Sequence, residues 1–135
     1  MGHWLLKTEP SEYSWDDLEH DRRTVWDGIA NNAALKNIRG MKEGDEALVY
    51  HSGAERAAVG VARIASAPYP DPRRADPRFV VFDLEPLRRL PRPVTLAEIK
   101  ADPAFAGFEL VRVPRLSAMP VSDAVWRRLL ALGRA

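Results

Sequence analysis

The amino-acid sequence predicts an α+β fold: a small, strongly bent β-barrel, partly closed, with short helices at its openings. Three observations lead there. Short strand-like runs recur along the chain, but helical patterns fall between them without the regular alternation of a parallel α/β sheet. Hydroxyl caps mark helix starts at Ser14, Thr95 and Ser122. Eleven prolines in 135 residues imply many loops and interrupted strand edges. The length is that of a single domain, residues 1–135, with enough chain to bury a core without disulfides or metals.

Each element has its own warrant. Residues 3–8 read as a first strand, ended by Pro10. Ser14 followed by Asp17 is a capping pattern that opens a short helix, with Trp15 and Leu18 on its buried side. Residues 20–23 form a polar connector. Residues 31–41 are the stronger helix, because Ala34, Ile38 and Met41 fall on one face, while Lys36 and Arg39 share an outward one. Gly44-Asp45 turns the chain into a strand at 47–52, with Leu48, Tyr50 and Ser52 on one face and Val49 and His51 on the other. A long strand at 56–66 carries Gly60, the mark of a bulge or a close backbone approach. Residues 68–74 are a loop. Residues 79–84 are a strand, followed by proline-punctuated Arg88, Arg89 and Arg92. The capping box of Thr95 and Glu98 opens a short helix, and residues 110–113 read as a strand. Ser122 caps a final helix whose inner stripe is Val125, Leu129 and Leu132, with Gly133 as its stop.

Composition bounds the function. An apolar fraction of 46% and a charged fraction of 29% are those of an ordinary globular protein. A net charge of +1 does not by itself announce a nucleic-acid binder, although charge distribution still matters. The absence of cysteine excludes a disulfide framework and thiol catalysis. No signal peptide, membrane span or myristoylation pattern is expected, so the expectation is a cytoplasmic protein, away from membranes and monomeric. His3, His20 and His51 lack metal-ligand spacing, and no Walker or Rossmann glycine pattern is present, so neither metal nor cofactor is expected.

Two polar clusters carry the uncommon chemistry. In the first, Trp26-Asp27-Gly28 precedes the amides Asn31 and Asn32. An aromatic plane with an amide is what reading a nucleobase needs: the plane stacks on the ring, and the amide offers a donor and an acceptor to its edge. A lone tryptophan is more often core. In the second, Lys7 and Glu9 project from one strand face, either as a surface ion pair or as cavity groups for base edges or acid–base work. His51 reads as a structural histidine. A triad with Ser52 is disfavoured, because adjacent strand residues point apart and no nucleophile elbow is present. Lys36, Arg39, Arg73 and Arg74, with Lys42, Arg88, Arg89 and Arg92, are solvated faces unless some line one rim, where they would hold phosphates around an extruded base.

These residues also carry a resemblance. Trp4-Leu5-Leu6-Lys7-Thr8-Glu9-Pro10 with Tyr13-Ser14, then Trp26-Asp27-Gly28-Ile29 with Asn31, then Met41-Lys42 with Gly44-Asp45, then Tyr50-His51-Ser52, resemble the EVE domain family. Tyr69-Pro70-Asp71-Pro72, Pro93-Val94-Thr95-Leu96 with Ile99-Lys100, and Arg115-Leu116-Ser117 with Pro120-Val121 continue the match in register. The resemblance implies a PUA-like fold, related to YTH and ASCH domains, and a non-enzymatic reader of a modified cytosine or adenine in DNA or RNA. By motif position it implies a pocket of Lys7, Glu9, Tyr13, Trp26, Asn31, Tyr50 and Ser52. Trp26 would stack on the base, Asn31, Glu9 and Ser52 would bond its edge, and Lys7 would meet a carbonyl or phosphate. Where the family has Arg-Asn-aromatic-Gln-Ala, this chain has Ala30-Asn31-Asn32-Ala33-Ala34, so a weaker phosphate grip and an altered preference are expected. The rivals are an ASCH-type amidohydrolase acting on modified nucleosides through Lys7 and Glu9, and a small-ligand or interaction module.

Overall fold

A computed structural model of the chain describes residues 2–135. Seven strands and five α-helices follow one another as β1 (His3–Thr8), α1 (Trp15–Asp21), β2 (Thr24–Trp26), α2 (Asn32–Arg39), β3 (Glu46–His51), β4 (Ala57–Ile64), β5 (Tyr69–Pro70), β6 (Val80–Thr95), α3 (Leu96–Ala101), α4 (Glu109–Arg112), β7 (Ala118–Pro120) and α5 (Asp123–Leu132). The sheet runs β2-β6-β4-β3-β1-β7, with β5 paired to β6. Among the described residues its one parallel pair is β1 with β3, in which Lys7 lies opposite Tyr50 and Thr8 opposite His51. The sheet curls around a core containing Leu5, Leu6, Leu48, Val61, Phe82 and Leu84, so the bent α+β architecture expected from the sequence is the one found.

Local signals account for most helix starts. The Ser14 hydroxyl accepts the Asp17 amide while the Asp17 carboxylate accepts the Ser14 amide, and Thr95 and Glu98 repeat the arrangement at α3. Such a cap contributes about 1 kcal/mol. Trp15, Leu18, Ala34, Ile38 and Met41 are buried as their periodicity predicts. In α5 the inner stripe is centred on Trp126 and Leu129, with Val125 and Leu132 only partly buried. The Trp126 ring stacks on His3, with centroids 4.3 Å apart.

Three expectations are corrected. The strand at 79–84 continues through the prolines to Thr95 as one 16-residue strand. It tolerates them because its pairing with β4 is irregular. Between the pairs Ala58–Val94 and Gly60–Arg89, β4 advances two residues and β6 five, so Pro91 and Pro93 fall in a bulge that needs no ladder amide. Residues 110–113 lie in the short helix α4 and its C-cap, not in a strand. Residues 68–74 are not all loop, because Tyr69–Pro70 form β5 against β6; like it, the three-residue strands β2 and β7 went unread, because so few residues carry no period and only their partners define them.

Gly60 shows both features that its position predicts. The register shifts beside it, and a Cβ added there would lie 2.6 Å from the Trp15 ring. That ring is fully buried, and its amide donates to His51 Nε2 at 2.9 Å. His51 Nδ1 therefore carries the proton and donates to Glu55 at 2.7 Å. The buried histidine orients the start of α1, and the strand β3 that carries it pairs with β1, which leads directly into the site.

Candidate functional site

The end of β1, the turn after it, and β2 with the loop that follows enclose a cleft of about 730 Å3. Four expected residues meet there: Lys7, Glu9, Tyr13 and Trp26. Trp26 is placed by β2, where it pairs with Phe82 of β6. It is only 7% exposed, and Tyr13 meets it edge-on, with ring centroids 6.1 Å apart at 84°. The Tyr13 hydroxyl donates to Asp21 at 2.8 Å. Burial, reinforced by the Asp21 carboxylate, pushes the Tyr13 phenol up to about 12, so it stays a neutral donor.

Lys7 and Glu9 supply opposite polarity on one wall. The Lys7 ammonium donates to the Pro114 carbonyl at 2.7 Å and sits 5.8 Å from the Tyr50 ring centre, within cation–π range. Burial lowers its pKa from the ordinary lysine value. Glu9 accepts from the amide and hydroxyl of Ser11 through one oxygen. Its other oxygen packs against Gly53, where an added Cβ would meet it, and Gly53 holds φ +76°, a backbone conformation that favours glycine.

Arg73 alone of the expected rim residues lines the cleft, paired with Asp27 at 3.7 Å. Arg74 packs on Phe79, 4.2 Å from the ring centre, and lies 3.9 Å from Asp71. Arg39 donates to the Arg78 carbonyl at 2.6 Å, and Lys36 is exposed on the same helix; neither lines the cleft. Asn31 caps α2, its carboxamide oxygen accepting the Ala34 amide at 3.0 Å, and does not line the cleft. Tyr50 and Ser52 line a second hollow of about 290 Å3, which shares Lys7 with the cleft. The Ser52 hydroxyl donates to the Thr8 carbonyl, and both His51 nitrogens are engaged elsewhere, so the two do not form a nucleophile–base pair. Among the described residues no three His, Cys, Asp or Glu side chains cluster as metal ligands.

Several lining residues were not among the expected site residues: Thr24, Val25, Asp27 and Ser117 at the cleft, Arg56 and Lys100 at the hollow. Asp27 sat inside a motif already singled out. Ser117 arrives through β7, where its carbonyl accepts the Lys7 amide at 2.9 Å, a contact no local pattern announces.

The EVE domain family matches residues 2–132. The chain belongs to that family. Thymocyte nuclear protein 1 of Homo sapiens is 30% identical, over 97% of this EVE chain and 73% of its own length. Rpa0253 from Rhodopseudomonas palustris superimposes with a TM-score of 0.94 at 37% identity, covering 99% of this chain and 94% of its own. The human THYN1 protein, solved in complex with DNA containing 5-methylcytosine, superimposes with a TM-score of 0.91 at 26% identity, covering 100% and 99%. An ASCH protein from Zymomonas mobilis, at 12% identity and a TM-score of 0.63, covers 96% of this chain and 94% of its own and shares the fold alone. The fold is PUA-like. Among the described residues no helix is long and apolar enough to cross a membrane.

Proposed function

We propose that this EVE domain binds DNA and holds one extruded, modified cytosine in the cleft between β1 and β2. The observation that carries the reading is the convergence of Trp26 and Tyr13 with Lys7 and Glu9 in one cleft. Its volume falls within the roughly 300–1,000 Å3 of small-molecule sites. An aromatic face serves the ring of any base. A carboxylate accepts from the exocyclic amino group of cytosine, and an ammonium donates to its ring carbonyl. Adenine offers its amino group beside a ring-nitrogen acceptor, so this pair fits either base, and the choice of cytosine rests on the human relative's ligand. The human relative was solved in complex with DNA containing 5-methylcytosine, which supports a methylated cytosine in DNA as the ligand. The chemistry asked of the cleft is recognition, and the site needs no cofactor for it.

The test is a binding panel of short DNA and RNA oligonucleotides. Each carries one plain or modified cytosine or adenine, and binding is measured at two salt concentrations. The expected result is a preference for one modified cytosine in DNA that survives the higher salt. Trp26→Leu should erase the preference, since stacking on an aromatic contributes about 1–3 kcal/mol per base. Because Trp26 is also buried, Glu9→Gln serves as a second variant that leaves the core intact. Binding by the parent without any base preference would overturn the reading.

A further inference from the structure

Lys7 lines both cavities, and the second hollow differs from the cleft in kind. It holds the cations Lys7, Arg56 and Lys100 and the hydroxyl-bearing residues Tyr50 and Ser52, with no carboxylate in its lining. Among the described residues, neither Arg56 nor Lys100 takes part in an ion pair. Lys7 uses one of its three N–H groups on Pro114, which leaves two. Arg56 is one of three non-glycine residues with positive φ among the described residues, at 49°, a conformation that costs a bulky side chain energy. The Arg56 carbonyl accepts the Leu96 amide at 2.8 Å, which pins this backbone to the start of α3. A strained arginine, held at a carboxylate-free hollow beside two lysines, is suited to a tetrahedral anion with several acceptor oxygens.

We propose that this hollow is an anion subsite that takes the backbone phosphate beside the nucleotide extruded into the cleft. The inference rests on the base-binding reading above, because the shared Lys7 is what places a phosphate next to a base.

The experiment uses the full chain and a short duplex with a single 5-methylcytosine, against the same duplex unmodified. Arg56→Gln and Lys100→Gln change exposed side chains outside the cleft, and thermal melts verify that both fold. Each variant should weaken binding to modified and plain DNA by the same factor. Each should also flatten the dependence of log affinity on log salt by about one. A neutral methylphosphonate at one linkage flanking the methylcytosine should weaken the parent several-fold and the double variant, which keeps only Lys7 at the hollow, clearly less. Variants that keep the parent's affinity and salt slope would overturn the subsite. So would a methylphosphonate effect unrelated to the position of the modified base. If inorganic phosphate stabilises the parent but not the double variant, while neutral linkages have no effect, the occupant is a free anion and the backbone assignment falls. The base reading is read separately, from the ratio of modified to plain affinity, so either idea can fail without the other.

Discussion

The two cavities on either side of Lys7 are built from opposite materials. The cleft mixes signs: Glu9, Glu12 and Asp27 stand among Lys7, Arg23 and Arg73, around Trp26 and Tyr13. The hollow lacks carboxylates and pairs its cations with hydroxyl-bearing residues and aliphatic walls. A base edge presents donors and acceptors together, so a surface that reads it needs both. A phosphodiester presents only acceptors, so a surface that grips it needs only donors. On the proposals above, discrimination would fall to the cleft and affinity to the hollow, with Lys7 as their common wall.

The comparison breaks first at Trp26. Trp26→Leu should lower the ratio of modified to plain affinity by roughly 5- to 150-fold, the equivalent of about 1–3 kcal/mol of stacking, while the salt slope stays at the parent value. Oligonucleotide titrations at two salts read both quantities. Next is Gly53→Ala, which drives a methyl into the Glu9 carboxylate and strains a residue at φ +76°. It should cost about 1–2 kcal/mol of stability and lower discrimination with little effect on salt slope; retention of full discrimination would remove Glu9 from base reading. Lys7→Met should weaken both quantities while raising the melting temperature slightly, because it removes a charge that burial already disfavours.

Asn31 separates capping from binding. Asn31→Ala should cost about 1 kcal/mol of stability. Asn31→Asp keeps the capping oxygen and removes the carboxamide donor, so it should bind as the parent does. Loss of discrimination in the aspartate variant would return Asn31 to the base-binding set. The smallest effect is alkaline. Tyr13 and Tyr69 are pushed up to about 12, the first by burial and the second by its hydrogen bond to Asp83, and burial raises Tyr50 as well. These phenols keep their protons in the fold and lose them near 10 in the unfolded chain. Their contribution is therefore whole below pH 10 and lost as pH rises towards 12. Absorbance at the phenolate band of the native protein should stay flat near pH 10, and added DNA should alter the titration of Tyr13 and Tyr50 more than that of Tyr69.

The sequence by itself determined what nearest neighbours along the chain decide. Capping boxes and the buried faces of α1 and α2 were legible because a helix satisfies its groups within four residues. Gly60 was legible as a close approach, and Lys7, Glu9 and Trp26 as unusual company. Only the tertiary structure decided which of them meet. The β6 prolines read as a stop until the pairing with β4 supplied a bulge to hold them. Asn31 stands in the most suggestive motif of the chain, yet its side-chain oxygen is taken by the Ala34 amide. Arg56 and Lys100 share a hollow with Lys7 although dozens of residues separate them in sequence. Strand pairing and cavity lining join residues across loops whose paths have no local periodicity, so their partners are settled by burial and hydrogen-bond closure across the whole chain.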